Sequence, residues 1–263
     1  MIVKGYRTAS WALLLIFVFS GIAFAKSGSD RVITEDRDVS GFNEVTVALA
    51  GRVLLEQGDT EGVTVEAESD MMEHIITKVR GRRLVIEYKS ERWGWHFSPS
   101  TRVVVTVRFK DLSAVSLSGS ADVTCKRIKG DELDLLVSGS GDILFGEIEA
   151  KWIESRISGS GTVIVEKLSA ERVQSHISGS GDVKLTGTAT SLRTGISGSG
   201  SIDASALQVK EADVRISGSG SIRVNVSDEL TGTISGSGSL WYKGRPYVDV
   251  STPGSGSVRP IRG

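Results

Sequence analysis

Three aspartates recur at a fixed interval: Asp122, Asp142 and Asp182, with Thr162 holding the place between the last two. Carboxylates stacked one repeat apart could hold a calcium ion, since oxygen donors suit hard cations, or push up one another's pKa. The same place becomes Ser201, Ser221 and Ser239 further along, so nothing completes a metal or acid–base set. The simpler assignment for each aspartate is a solvated turn residue. A second cluster is aromatic: Trp93, Trp95 and Phe97 alternate, with His96 between the last two. It could form an exposed patch for a sugar, peptide or lipid. A hairpin tip folding its rings back onto the lobe is the simpler assignment. With one cysteine and three histidines (His74, His96, His176), a disulfide framework and a cysteine-based metal site are excluded, and no cofactor is implied. His176 precedes Ile177 in an alternating segment, so it points outward without an identifiable acid partner. Cys125 falls among inward positions and reads as a small buried hydrophobe rather than a reactive thiol.

The elements that would position these groups are set by a repeat. The step Ser-Gly-Ser-Gly, or a close variant, occurs eight times between Leu117 and Val258, and the copies are 20, 20, 20, 19, 20, 18 and 18 residues apart. A period near 20 is one coil of a solenoid. After each step comes an apolar-x-apolar pair such as Val123-x-Cys125, Ile143-x-Phe145, Val163-x-Val165 and Val183-x-Leu185. Before it lies another alternation, as in Leu133-x-Leu135-x-Val137. Period two means strands with one buried face, and no segment between copies has helical periodicity. The chain is therefore expected to be all-β: a parallel β-helix, or β-solenoid, of roughly 20-residue coils with a β-rich N-terminal lobe. Coils stacked at about 4.8 Å would give a rod of about 38 Å.

The step has its own logic. Its first Gly is present in all eight copies, which requires either a positive φ or close backbone approach. The second is Ala121 in the first copy, so small size suffices there. The second Ser is present in every copy, and stacked hydroxyls could form a ladder. Pro253 replaces Ser in the last copy, as suits an edge coil whose donors have no further partner.

Four regions follow. Residues 1–25 have the Lys4/Arg7 n-region, apolar run and Ala23-Phe24-Ala25 site of a signal peptide. Residues 26–37 form a polar arm. Residues 38–112 form the N-terminal β lobe. Its Phe42–Leu55 segment echoes Leu112–Cys125 as a degenerate coil, with Leu49 in the Gly position. Strand-like runs follow at 62–67, 75–80, 83–89 and 101–109, with a hairpin at Gly81 and a capping box at Asp70–Glu73. Residues 113–263 form the solenoid proper. Losing the leader takes the net charge from −1 to −3, which gives no basic footprint for nucleic acid. No later stretch is apolar enough for a transmembrane helix.

The repeats, the Phe-x-x-Val-x-Val opening at Phe42 and the segment IITKVRGRRLVIEY from Ile75 resemble the family described as putative auto-transporter adhesin, head GIN domain. The resemblance covers about residues 35–260. It implies an exported β-solenoid of Gram-negative bacteria, periplasmic or on the outer cell surface, with no family catalytic residues to transfer. No barrel-like segment follows residue 240, unlike a true autotransporter. The expected function is non-enzymatic: adhesion, envelope scaffolding or polymer binding, with an envelope component, glycan or protein as partner. Two alternatives are a carbohydrate-active β-helix enzyme and a sensory or regulatory envelope module. The coils leave little room for the long loops on which such enzymes carry their carboxylates.

Overall fold

The computed structural model describes residues 31–89 and 102–261. The leader, the start of the polar arm and the Trp93, Trp95, His96 and Phe97 cluster lie outside them. The chain is almost all β, 69% strand and 2% helix, with about seven turns of roughly 20-residue coils. In chain order the strands are β1 (Val32–Arg37), β2 (Glu44–Ala48), β3 (Arg52–Gln57), β4 (Gly62–Glu68), then the helical turn α1 (Ser69–Met72), β5 (Ile75–Arg80), β6 (Arg83–Tyr88), β7 (Val103–Phe109), β8 (Ala114–Leu117), β9 (Asp122–Lys129) and β10 (Glu132–Val137). There follow β11 (Ile143–Ile157), β12 (Thr162–Ile177), β13 (Asp182–Ile196), β14 (Ser201–Ile216), β15 (Ser221–Ile234), β16 (Ser239–Lys243), β17 (Tyr247–Ser251) and β18 (Ser257–Pro260).

From β8 onward each coil lies parallel on the one before it. Inward residues form continuous columns: Val123, Ile143, Val163, Val183, Ile202 and Ile222 are successive partners, as are Cys125, Phe145, Val165 and Leu185. All are buried. The strands of 14–16 residues are bent rather than straight. In β11 the inward positions run Ile143, Phe145, Ile148, Ile153, Ile157, so alternation slips twice. Pairing lapses at Gly146 and Lys151, where the slips fall. A coil thus has three runs: a first (143–145), a second (147–150) and a third (152–157). The 19- and 18-residue coils lose their residues in the second run, where the register shifts between Val165 and Leu168 and between Ala204 and Gln208. The corners and the third run keep their register.

The corners are joined by amides. Ser140 N–H donates to Gly119 O at 3.3 Å, Ser160 to Gly139 at 3.2 Å and Ser180 to Gly159 at 3.1 Å. The expected hydroxyl ladder is absent from this column: Ser120, Ser140 and Ser160 are exposed, and backbone does the joining. Close approach, not positive φ, explains the first Gly, since none of the eight has φ in the left-handed region. A Cβ added to Gly179 would lie 2.2 Å from Gly159 O, far inside van der Waals contact. The second Gly is as constrained as the first over most of the rod. A Cβ on Gly181 would lie 2.3 Å from Gly161 O and 2.8 Å from Ile157 Cγ2.

Pro253 departs from expectation. Corner amides donate backwards, as Ser235 N–H does to Ile216 O at 2.8 Å, so an imide at this place forgoes a bond to the preceding coil rather than hiding an idle donor. The final coil remains attached through β17 on β15 and β18 on β16. Pro260 is better placed, because its neighbour Ile261 donates inward to Tyr242 O at 2.7 Å and Pro260's own nitrogen faces the open edge.

The N-terminal lobe stacks out of sequence order. β2 and β3 pair parallel with β8 and β9 at an offset of 70 residues, Val45 on Val115 and Val53 on Val123. On their other side they carry β6 and β7, also parallel. The chain lays one coil, leaves through β4, α1 and β5, and returns to build the coil beyond it. Leu49 stands buried at the Gly position between β2 and β3, the two strands that carry β6 and β7. The end is closed by antiparallel strands, β5 on β6 and β4 on β7, with β1 on β4. The polar arm from Val32 is thus a strand, exposed and charged as an edge should be. α1 begins at Glu68 without a side-chain cap, so the Asp70–Glu73 capping box does not form. Gly81 does turn the β5–β6 hairpin, at φ +63°.

Replacing Gly179 by Ala should destabilise by about 2–4 kcal/mol, because neither facing backbone can yield. Gly130→Ala, where the nearest atom is 4.0 Å away, serves as control. Urea unfolding that shows equal stability for both variants would refute the stacking account.

Candidate functional site

With the inward columns filled, chemistry can only lie on outward ones. On the third run three outward columns run side by side. The first holds Trp152, Arg172, Ser191, Glu211 and Glu229; the second Glu154, Gln174, Arg193, Asp213 and Thr231; the third Arg156, His176, Gly195, Arg215 and Thr233. β13 contributes Ser191 and Gly195, the smallest residues of the first and third columns. Their lack of bulk opens two hollows in an otherwise tightly clothed face, one on each side of the Arg193 stem.

The first hollow, about 340 Å³, has Ser191 at its centre. Trp152 and Arg172 wall one side, the guanidinium lying 5.4 Å from the indole centroid. Glu211 and Glu229, adjacent in the register, wall the other. An aromatic face bordered by fixed donors and acceptors suits a ligand with both C–H faces and hydroxyls. The second hollow, about 430 Å³, lies over Gly195, and shares Gln174 and Arg193 with the first. Half-buried Asp213 ties the two hollows together: one of its oxygens lies 3.3 Å from Arg193 Nε and 3.0 Å from Arg215 Nη2. Gln174 donates to Glu154 at 3.1 Å, and Arg156 is paired with the same carboxylate. Gln174 and Arg193 are thus held by neighbours one coil away, and Arg156 and Arg215 by neighbours on their own strand.

The second run carries a different pattern. Glu147 sits between Arg127 at 3.4 Å and Lys167 at 2.8 Å, and its hydrogen bond from Lys167 holds its carboxyl below the usual range. These are exposed pairs that contribute little individually.

The Asp122/Asp142/Asp182 column does not gather into a site. Asp142 Oδ1 accepts from the Thr162 amide at 2.9 Å, and the aspartates are exposed. Among the described residues no group of three or more His, Cys, Asp or Glu is placed to hold a metal ion. His176 is exposed, as expected, and borders the second hollow. Cys125 is buried in the inward column with Phe145 and donates to Arg127 O at 3.3 Å; burial pushes its thiol up to about 11. Sequence reasoning missed both hollows. The signal was available in the corner spacing, which aligns Ser191 with Arg172 and Gly195 with His176.

No helix among the described residues is long and apolar enough to cross a membrane. The fold and face define a parallel β-solenoid whose distinctive surface is a shallow, polar, aromatic-edged groove on a rigid frame. The chain belongs to the family described as "Putative auto-transporter adhesin, head GIN domain", whose pattern matches residues 41–246. Among solved structures it is similar to a "putative lipid binding protein" of Parabacteroides distasonis, 25% identical, with 89% of this chain and 98% of that one covered at a TM-score of 0.83. A "putative adhesin" of the same organism is 26% identical with the same coverage and score. A "putative adhesin" of Parabacteroides merdae, 24% identical with a TM-score of 0.83, shares the fold. No curated protein matches the chain.

Cys125 should resist a thiol reagent such as dithionitrobenzoate in the native protein and react fully only in denaturant. Rapid native labelling would show that the inward column opens to solvent.

Proposed function

We propose that this protein is an exported, non-enzymatic contact protein of the bacterial envelope that holds a polymeric ligand along the third-run face. The observation that carries this reading is the groove itself. It spans β11–β15, is made by small residues on a hydrogen-bonded parallel stack, and has Asp213 paired with Arg193 one coil away and with Arg215 on its own strand. Such a surface binds without rearranging, so little ordering entropy opposes contact. Repeated coils also present a ligand with equivalent backbone at regular intervals, and weak contacts then add. The adhesin names of the family and of the Parabacteroides protein are consistent with this role. The lipid-binding name of its relative fits less well. The large exposed hydrophobics among the described residues, Val32, Leu54, Tyr247 and Val248, are scattered and line neither hollow.

The enzymatic alternative has one point in its favour, the adjacent Glu211 and Glu229. Against it, among the described residues no long loop closes over them.

Filling the first hollow tests the proposal without disturbing the core. Ser191→Trp should leave the melting temperature within a degree or two and reduce retention on immobilised envelope polysaccharide about tenfold or more. Unchanged retention would remove the groove from the function. Shortening of the polymer, abolished by Glu229→Gln, would replace the binding reading with catalysis.

A further inference from the structure

We infer that the Gly195 hollow is an anion subsite, and that the polymer held by this face is an acidic polysaccharide whose carboxylate or sulfate groups seat there. The inference rests on the groove being the contact surface and goes further by assigning the ligand's charge.

Two independent features converge. The first is shape. Gly195 stands in the outward column between His176 and Arg215, and a Cβ there would lie 3.1 Å from His176 Nδ1. The imidazole therefore leans over the gap that the missing side chain leaves. The second is charge. His176, Arg193 and Arg215 line the hollow, along with Gln174, Thr233 and Ser235, and among the described residues no carboxylate does. The nearest compensating charge is Asp213, which offers one oxygen to Arg193 Nε and Arg215 Nη2. One carboxylate against two guanidiniums leaves a net positive charge. It also leaves most of the five N–H donors on each fork free, and both arginines are largely exposed, 64% and 65%. Asp213 thus acts as a positioning residue that orients the forks. Planar forks with spare donors match carboxylate and sulfate oxygens. Hydroxyls and the aliphatic side chains of Ile196 and Ile216 complete the lining.

The neighbouring hollow discriminates further. Glu211 and Glu229 would repel an anion seated beside them, whereas the Arg172 plane stacked on Trp152 offers a flat wall. An occupant spanning both hollows therefore has a neutral ring over the first and an anionic group over the second. A polysaccharide with charged substituents has this alternation of character. A duplex nucleic acid, charged at every step, does not.

The test uses the purified chain without its leader, titrated calorimetrically with polygalacturonate, with neutral dextran and with phosphatidylglycerol vesicles. Polygalacturonate should bind, and more weakly in high salt. Arg193→Gln combined with Arg215→Gln should weaken that binding about a hundredfold, at about tenfold per lost charged contact. Gly195→Glu, whose Cβ would crowd the movable His176 ring and meet Arg215 O at an ordinary 3.5 Å, should abolish it. Both variants should keep the native melting temperature. Equal binding of dextran and polygalacturonate would overturn the anion subsite while leaving the groove reading intact, as would polygalacturonate binding that neither variant weakens. Binding of vesicles but not of polygalacturonate would overturn it in favour of a lipid headgroup. Failure of both polysaccharides and vesicles would overturn the groove reading and the subsite with it.

Discussion

The structure depends on backbone lying on backbone at the Gly corners. Each amide there reaches a carbonyl one coil away, and the approach leaves no space for a side chain. Glycine is costly in a strand for entropic reasons. The cost is tolerated here because a bulkier residue would lift one coil off the next along the whole rod, breaking every ladder bond that shares the corner. The constraint is therefore steric and collective. The first copy carries Ala121 above Gly51, whose φ of +140° sets that corner apart from the repeated ones.

Once the corners are locked, variation is forced elsewhere. Coils that are one or two residues short relax in the second run, where bulges absorb the difference. The third run keeps its register from β10 to β15, so its outward columns are regular. Regularity makes omission informative. In a column of large polar side chains, one Ser or Gly produces a hollow of defined shape, and the chains above and below cannot collapse into it because their backbones are pinned. The site is made by subtraction, on a frame that would resist any attempt to build it with a loop.

How far the sequence foretold this differs by level. The parallel stack, the inward columns, the burial of Cys125 and the echo at Phe42–Leu55 all follow from local periodicity, which the corner spacing translates directly into neighbours. The placement of β6 and β7 beyond β2 and β3 does not. It depends on which free edge a returning strand finds, and the local pattern of Arg83–Tyr88 is the same on either side. The direction of the corner amides was also hidden, because it depends on the parity of each residue along the strand; hence Pro253 and the serine hydroxyls received the wrong roles. The hollows were legible in principle. They required treating outward residues as columns, whereas attention to residue type alone drew the eye to the aspartates and the aromatic cluster.

The same parity argument bears on function. Outward side chains on a solenoid meet others of their kind every coil, so a charge introduced in one column is felt by its neighbours about 4.8 Å away. One column of the second run answers with alternation, Arg127, Glu147 and Lys167, which cancels charge along that line. The third column does not alternate: Arg156, His176 and Arg215 are basic, and Gly195 interrupts them. Self-repulsion along that line is relieved only partly, by Glu154 beside Arg156 and Asp213 beside Arg215. A surface meant only to be soluble would gain nothing from leaving this imbalance at the point where the face is also indented. Coincidence of the charge excess with the hollow is what separates a site from an irregularity, because an incoming anion would supply the alternation that Glu147 supplies between Arg127 and Lys167.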